Sequence, residues 1–467
     1  MLYFEQINVL LHKDNQNAMN SKTSKMNIII LSGGSGKRLW PLSNSIRSKQ
    51  FLKILSDEEG KPISMIQRIY RQLNQIDAHI EVTVAATKAQ EGILRNQLGE
   101  STGISTEPSR RDTMAAIMLA AAYLHDVRNV PDDEVIIVMP ADVYTEESYF
   151  YSLIRLHEIA ESKKTPLCLM GIEPTEPSEK YGYIIPESGS LISTVKKFKE
   201  KPDKEIAEQY IAQGALWNCG VFAFCLSYIR EKTRALMGFN DYETLYENYN
   251  DIPKTSFDYG IVEKENAISV LRYCGDWMDL GTWNTFTGAM STNTYGNSMQ
   301  EECVNTHLIN ELEMPVLALG IHGTVVAASP DGLIVADKDS SSKLKQYIDR
   351  IELRPMYEER IWGTYRVLSM RTEDPCSITK ELIIRPGKDI SYQKHHKRSE
   401  NWTIIQGTGQ VVINGIIHSV KRGDSVTIKA GMLHAIRAVT ELHIIEVQIG
   451  SELTEEDIER FDWCWDQ

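Results

Sequence analysis

Cysteine is scarce and scattered in this sequence. The seven cysteines include no C-x-x-C pair, and their number is odd. A zinc ribbon needs closely spaced cysteine pairs and a disulfide framework needs an even set, so the pattern argues against both classes. We expect reduced, mostly structural thiols in a cytoplasmic protein, at positions 168, 219, 225, 274, 303, 376 and 464.

Long apolar runs are also missing. No stretch approaches the roughly 18 to 20 apolar residues that a transmembrane helix needs, and the mean hydropathy is −0.29. The first 25 residues contain no compact apolar segment followed by a small-residue cleavage site, which argues against a secretory signal. We therefore expect no membrane partner and interpret residues 1–25 as a poorly ordered extension.

Positive charge is in the minority. The 50 Lys and Arg residues are outnumbered by 64 Asp and Glu residues, which gives a formal net charge of −14. This balance disfavours a broad nucleic-acid-binding surface, so an anionic substrate would have to be held by a local pocket. The 467 residues are too many for one typical domain and predict two or three.

The segment that starts at Met26 alternates short β-rich runs with helical stretches. This alternation is typical of a mostly parallel sheet covered by helices, an α/β domain over residues 26–290. Apolar residues recur at helical spacing in residues 113–128 and 146–163. Strands are predicted at residues 26–32, 81–87, 134–140 and 167–172.

The character of the sequence changes twice after residue 290. Residues 291–353 contain short strands separated by Gly and Pro turns, then a polar helical stretch, which predicts a connector with a small β unit. Alternating strands and turns in residues 354–467 predict an antiparallel all-β barrel or double-sheet jelly roll. Thr454, three residues before Asp457, predicts a short capped helix near the end.

A Gly-rich turn follows the first predicted strand, in the segment LSGGSGKRLWPLSNSIRSKQFLKI at 31–54. Backbone N–H groups of such a turn can approach phosphate oxygens, which Arg38 and Lys49 can neutralise. The segment is not a Walker A loop, because Leu31 and Arg38 stand where Gly and Ser or Thr are needed. Leu39 likewise breaks the dinucleotide fingerprint. Taken alone, such a turn is more often a plain strand-to-helix connection.

These residues resemble the signature of the sugar-nucleotidyltransferases, and GGSGKRLWPL with KQFL is similar to the mannose-1-phosphate guanylyltransferase branch. The resemblance implies a Rossmann-like domain that transfers GMP from GTP to mannose 1-phosphate with Mg²⁺. The chain departs from the family pattern at Asn44, Ser48 and Val143, where Arg, Pro and His are usual. Further matching elements follow in order: EPSRRDTMAA, MPAD, EKYGYI, FKEKP, WNCGVF, SFDYGIVEK and WMDLGTW.

The same resemblance implies the site residues. Asp142, at a predicted strand end, and the distant Asp279 would hold Mg²⁺ through carboxylate oxygens. Lys49 would neutralise phosphate and Arg38 the leaving pyrophosphate, so Arg38, Lys49 and Asp142 form the implied catalytic set. The implied nucleotide-binding residues are Gly33, Gly34, Gly36, Arg38 and Lys49, and the implied sugar-phosphate contacts are Gly182, Glu200, Lys201 and Asn218. Without the family context, an isolated Asp would be a helix or turn cap.

The C-terminal segment resembles the cupin-type mannose-6-phosphate isomerase module, through RPMYEERIWGTYRVL, SYQKHHKRSENWTIIQGTG and IIEVQIGSELTEEDIERF. The family places ligand histidines at i and i+2, but here His395 is followed by Lys397, whose ammonium has no lone pair. His396 would point to the opposite strand face, whereas Gln393 shares the face of His395. Unless a local bulge turns His396 inward, the candidate ligand set that the resemblance implies for Zn²⁺ or a similar divalent metal is Gln393, His395, Glu400 and His434.

Several functional alternatives stay open at this point. The barrel is either an isomerase that interconverts mannose 6-phosphate and fructose 6-phosphate, or a domain that has kept the shape and lost turnover. The transferase could act on another sugar 1-phosphate, such as a manno-heptose derivative. A non-catalytic sugar-nucleotide sensor is the third alternative, supported mainly by Lys397. We expect GTP, mannose 1-phosphate and further copies of this chain, in a homo-oligomer, as partners.

Overall fold

The computed structural model describes residues 25–34, 37–44, 46–350, 354–374 and 376–465. Among these residues, no helix is long and apolar enough to span a membrane. The expected extension at 1–25 lies outside them except for Lys25, and so does Gly36.

A nine-stranded sheet forms the centre of the N-terminal part. The strand Asn27–Leu31 pairs in parallel with Glu81–Thr87 and Val135–Pro140, as the β-rich runs predicted. In spatial order the strands are Gly103–Glu107, Glu81–Thr87, Asn27–Leu31, Val135–Pro140, Leu216–Cys225, Leu167–Ile172, Ile268–Tyr273, Ile192–Lys199 and Gly182–Pro186.

Helices cover the faces of this sheet and bury two apolar clusters against it. The Ala-rich helix Asp112–Asp126 has ten buried residues, because small alanines let it lie close to the strands. The helix Met65–Ile76 begins with a Ser64/Gln67 capping box and buries an apolar stripe. The other helices of this part are Glu91–Leu98, Glu147–Glu161, Lys204–Ala212, Leu226–Met237, Tyr242–Glu247, Phe257–Gly260 and Trp283–Gly288.

The connector consists of short strands that pair mostly in parallel. His307–Asn310 lies between Thr294–Tyr295 and Thr324–Ser329, both parallel to it, and Ser298–Glu301 is parallel to Val316–Leu319. Gly332–Asp337 adds an antiparallel edge, and the polar stretch near 341–350 contains the single-turn helix Leu344–Ile348. The sequence predicted the β unit but not its parallel pairing, because such short strands carry no signal for their partners.

The connector packs against the Gly-rich segment. Leu39 and Leu42 share an apolar cluster with Ile309 and Ala327 of the connector. Beside this cluster, Arg47 forms a bidentate ion pair with Glu311, with N···O distances of 2.7 and 2.8 Å. The connector therefore holds the segment that contains the phosphate-loop candidate through both apolar packing and an ion pair.

The C-terminal part is a double-sheet barrel with six strands in one sheet and five in the other. The first sheet contains Tyr357–Arg360, Gly363–Arg371, Cys376–Ile384, Leu442–Gly450, Arg398–Gln406 and Ser425–Ile428. The second contains Ile416–Lys421, Thr408–Ile413, His434–Ala438, Asp389–Lys394 and Glu459–Phe461.

The predicted C-terminal helix is wrong. Residues Glu455–Asp457 form one 3-10 turn, and Glu459–Phe461 is a strand that pairs with Asp389–Lys394. The Asp457 carboxylate accepts hydrogen bonds from the backbone N–H groups of His396 and Lys397. Pairing with the barrel thus overrides the local helix signal.

Candidate functional site

The Gly-rich turn is fixed by a network of polar side chains. The Ser48 hydroxyl donates a 2.8 Å hydrogen bond to the Gly34 carbonyl, and the Gln90 amide donates to that hydroxyl at 3.0 Å. The Gln50 amide donates to the Ser32 carbonyl at 2.6 Å. The backbone at Gly33 and Gly34 is exposed, so its polar groups can meet a ligand.

The three departures from the family pattern have structural roles. Asn44 donates to the Asp331 carboxylate of the connector at 2.7 Å. Ser48 holds Gly34 as described. Val143 is buried and pairs with Asp279 between two short antiparallel strands, Val143–Thr145 and Trp277–Asp279.

That strand pair brings the two implied metal carboxylates to one place. Lys49 Nζ lies 2.6 Å from Asp142 Oδ2 and 3.1 Å from Asp279 Oδ1. Each carboxylate keeps 34% of its side-chain surface exposed, and Lys49 keeps 17%. Two partly open carboxylates with hard oxygen donors fit a divalent cation, which would share them with Lys49.

The protonation of Lys49 is set by the same contacts. Burial alone would lower its pKa, but Asp142 and Asp279 outweigh that effect and raise the pKa of Lys49 above its ordinary value. Lys49 is therefore a cation at neutral pH. Arg38 is exposed on the adjoining turn and lines the same cavity as Lys49.

The cleft has two halves that meet at Asp142 and Gly34. One cavity, about 400 Å³, is lined by apolar side chains and by polar ones of both charges, which include Glu107, Asn218, Asp258, Arg110 and Lys180. The other, about 250 Å³, is lined mainly by cations and backbone. A ligand with one uncharged end and one polyanionic end fits this division.

The implied sugar-phosphate contacts lie together beside the first cavity. Asn218 pairs with Gly182 between neighbouring strands. A side chain at Gly182 would collide with Glu200 Oε2. Glu200 Oε1 accepts from Lys201 at 2.5 Å, whereas its buried Oε2 has no hydrogen-bond partner among the described residues. That oxygen is available to a ligand hydroxyl.

Asp258 is a residue that the sequence analysis missed. Asn218 donates a 2.6 Å hydrogen bond to Asp258 Oδ1. Burial and the nearby Glu200 carboxylate raise the pKa of Asp258 to about 6. The signal was its position in SFDYGIVEK, but that motif alone does not indicate a neighbour of Glu200.

Glu107 is a second missed residue. It begins the EPSRRDTMAA motif, and its buried carboxylate accepts a 2.5 Å hydrogen bond from the Tyr249 hydroxyl. Burial raises the pKa of Glu107 above its ordinary value. An added Cβ on Gly33 would lie 3.3 Å from Glu107 Oε1, so this oxygen borders the Gly-rich turn.

Inside the barrel, three implied metal ligands converge. His395 Nε2 lies 3.1 Å from Glu400 Oε1, and His434 Nε2 lies 3.6 Å from Glu400 Oε2. The Nδ1 atoms of the two histidines face the backbone carbonyls of Asp457 and Met432 at 3.1 and 2.9 Å. Each Nδ1 can donate to its carbonyl, so Nε2 is the atom of each ring that faces the carboxylate and would take a metal ion. This donor set fits a divalent metal ion.

Two neighbours of this centre, Gln393 and Arg398, are buried, whereas a third, Lys397, is exposed. Gln393 is buried and pairs with His434 across two strands, and its Oε1 accepts a hydrogen bond from Ser391. Arg398, which the sequence analysis missed, donates from Nε to Glu400 Oε1 at 3.1 Å. Lys397 points away and forms an exposed ion pair with Glu452.

His396 also faces outward, from the bend that follows the strand Asp389–Lys394, and it pairs with Glu459. Its side chain is exposed, unlike that of its neighbour His395. The centre therefore draws one histidine, not two, from the HHK segment at 395–397.

Comparison with known proteins relates both sites to families. Residues 27–295 match the nucleotidyl transferase model, and residues 353–463 match the mannose-6-phosphate isomerase C-terminal model. The chain is 30% identical to the xanthan biosynthesis protein XanB of Xanthomonas campestris pv. campestris (strain B100), over 93% of this chain and 97% of that protein. It is 29% identical to a mannose-1-phosphate guanylyltransferase of Klebsiella pneumoniae, over 92% and 98%.

A solved structure matches as well. The mannose-1-phosphate geranyltransferase of Thermus thermophilus aligns with a TM-score of 0.60 and 28% identity, over 70% of this chain and 99% of that one.

Proposed function

Since the chain belongs to the nucleotidyl transferase family, we propose that it transfers GMP from GTP to α-D-mannose 1-phosphate, which yields GDP-mannose and pyrophosphate. The observation that carries this proposal is the meeting of Asp142, Asp279 and Lys49 at the boundary between the two cavities of the cleft. Relatives named for guanylyl transfer and for xanthan biosynthesis, similar over almost their full length, support the choice of substrates.

Charge neutralisation and alignment are the main requirements of this reaction. An oxygen of the sugar 1-phosphate bonds to the α-phosphorus of GTP, the bond from that phosphorus to the β-phosphate oxygen breaks, and pyrophosphate leaves with the electron pair. Lys49 neutralises the reacting phosphates, and Arg38 the leaving group. Mg²⁺, held when bound by Asp142 and Asp279, would supply Lewis-acid charge neutralisation of the phosphate oxygens.

Glu107 is suited to read the base. Its carboxylate can accept the N1–H and N2–H donors of guanine, which adenine does not present in that arrangement. Its burial and its contact with Tyr249 hold the carboxylate in one orientation. We assign the guanine preference to this residue.

The sugar phosphate is assigned to the group around Gly182. Glu200 Oε2 would accept from a sugar hydroxyl, and Asn218 lies beside it on the next strand. Lys201 would pair with the sugar phosphate once it exchanges the Glu200 carboxylate for that ligand. The absence of a side chain at Gly182 leaves room for close approach.

The barrel is assigned a divalent metal such as Zn²⁺. His395, Glu400 and His434 would hold it, with the amide oxygen of Gln393 as the fourth ligand. Interconversion of mannose 6-phosphate and fructose 6-phosphate is the second candidate function, and the three converging donors favour it. The alternative is a barrel that has kept its shape and lost turnover, because Lys397 stands at a usual ligand position.

A homo-oligomer is the third part of the proposal. The connector exposes a group of large apolar side chains on its short strands, which a second copy could cover. They are Met299, Leu317, Leu319, Leu333 and Val335. Light scattering on the purified protein would give the mass, and a monomer would reject this assignment.

The seven free thiols support a reducing, cytoplasmic location.

Pyrophosphate release tests the main proposal. Purified protein is mixed with mannose 1-phosphate and GTP, ATP, UTP or dTTP, with and without Mg²⁺. Release with GTP and Mg²⁺ is expected. Pyrophosphate release with another nucleotide would overturn the guanylyl assignment. Release from GTP with another sugar 1-phosphate, but not with mannose 1-phosphate, would overturn the assignment of the sugar. No pyrophosphate release with any nucleotide and sugar 1-phosphate would favour the alternative of a non-catalytic sugar-nucleotide sensor.

A coupled assay with mannose 6-phosphate tests the isomerase activity of the barrel separately.

A further inference from the structure

The cationic half of the cleft is not built by the transferase domain alone. Its walls carry Lys37, Arg38 and Lys49 from the Gly-rich segment and Lys345 from the connector. Lys345 lies about 300 residues further along the chain than the other three cations. Four cations from two parts of the chain therefore surround a cavity of about 250 Å³.

The short helix that carries Lys345 is firmly attached to the Gly-rich segment. Leu344, the first residue of the helix Leu344–Ile348, packs against the apolar cluster that contains Leu39. Just past the helix end, Asp349 accepts a 2.7 Å ion-pair contact from Lys37 Nζ. These two contacts fix the helix over the turn and leave the exposed Lys345 side chain at the cavity wall.

The other cations of this cavity are already engaged in part. Lys49 holds Asp142 and Asp279, and Lys37 holds Asp349. A nucleoside triphosphate brings four negative charges, and its base end fits the other half of the cleft, where Glu107 lies. Its phosphate tail therefore extends towards Arg38 and Lys345.

We propose that Lys345 binds the terminal phosphates of the nucleotide, which leave as pyrophosphate, so that the connector forms part of the active site. This inference rests on the proposed function for the identity of the ligand. In the transfer, Lys345 acts through its charge and forms no covalent bond. It stabilises the negative charge that reaches the departing β-phosphate as the bond to the α-phosphorus breaks.

The test compares three variants. Lys345→Met removes the charge but keeps the length of the side chain, and Lys345→Arg keeps the charge. Lys343→Met is the matched control, because Lys343 is an exposed lysine two residues away that does not line the cavity. Direct binding of pyrophosphate and of GTP, each with Mg²⁺, is measured by calorimetry, and KM is measured for both substrates.

We expect Lys345→Met to weaken pyrophosphate and GTP binding by about 10- to 100-fold, the size of one charge-assisted hydrogen bond. The KM for mannose 1-phosphate should stay unchanged, and Lys345→Arg should restore most of the affinity. Equal loss in Lys343→Met, loss confined to mannose 1-phosphate, or binding within twofold of the wild type would overturn the proposal.

Binding also separates this inference from the proposed function. The wild type could bind pyrophosphate more tightly than Lys345→Met and yet transfer nothing to mannose 1-phosphate. That result would uphold the role of Lys345 and reject the proposed substrates. A wild-type protein that does not bind pyrophosphate at all would reject the role of Lys345.

Discussion

The transferase cleft and the barrel centre both gather charged ligands, but they treat solvent in opposite ways. In the cleft, Asp142 and Asp279 each keep about a third of their side-chain surface exposed, at 34%. In the barrel, the side chains of His395, Glu400 and His434 are exposed by 1%, 1% and 0%. Solvent reaches the side chains of the first set but not those of the second.

The origin of this difference lies in what surrounds each set. Asp279 ends a short strand and Asp142 lies in the turn just before the paired strand, so both carboxylates stand at the edge of a cavity, next to a loop that the connector holds. Glu400 and His434 lie on strands and His395 directly follows one, all three are buried inside the barrel, and the carbonyl of Asp457 in the C-terminal segment faces His395. The exposure of each set therefore follows from its position in the fold.

Loss of a cleft carboxylate should have the largest effect. Asp279→Asn keeps the shape of the side chain and removes one of the two charges that would hold the cation, so pyrophosphate release should fall by about 10³-fold. Release is measured over a range of Mg²⁺ concentrations. Asp276→Asn, an exposed carboxylate three residues away, is the control and should stay near wild type. Normal turnover in Asp279→Asn would reject the proposed metal site.

Loss of a barrel ligand should change stability and leave transfer intact. Glu400→Gln removes the charge at the meeting point of two histidines, and breaking a buried charged set costs about 3–5 kcal/mol. Metal content by mass spectrometry should fall from one ion per chain to none, and barrel unfolding should shift to lower temperature. His418→Ala, an exposed histidine in the same barrel, should change neither. A loss of pyrophosphate release in Glu400→Gln would contradict the separation of the two sites.

Base selectivity should respond to Glu107. Glu107→Gln cannot accept both guanine donors with a carboxylate, so preference for GTP over ITP, which has no 2-amino group, should fall by about 10-fold. The ratio of kcat/KM for the two nucleotides is measured within each variant, which cancels any general loss of activity. An unchanged ratio would assign the base contact to another residue.

Sequence reasoning succeeded where the signal is local. Strands such as Glu81–Thr87 and Leu167–Ile172 were predicted at their observed bounds, because β-rich runs between turns are self-contained patterns. The convergence of Asp142 and Asp279 depended on the family resemblance. The two carboxylates are brought together by the pairing of Val143 with Asp279, and no local sequence pattern predicts a contact across 136 residues.

Long-range contacts explain the misses as well. Glu107 contacts Tyr249, and Lys345 lies beside the Gly-rich turn, only after the chain folds. The local sequence around each residue therefore does not predict its role. The predicted C-terminal helix failed because Asp457 caps two backbone N–H groups of the barrel, not its own turn. Lys397, which stands at a usual ligand position, is used for a surface ion pair with Glu452.

The smallest effect concerns the pH dependence of stability at the sugar end of the cleft. Burial and Glu200 raise the pKa of Asp258 from 3.8 to about 6, so the folded protein favours the protonated carboxyl. That stabilisation is complete below pH 3.8 and is lost as the pH rises through about 6. Asp258→Asn keeps the acceptor for Asn218 without the charge, so its melting temperature at pH 7.5 should exceed that of the wild type by about 2–4 °C. Scanning fluorimetry should show this gap shrinking as the pH falls below 6, and a gap independent of pH would mean that Asp258 titrates normally.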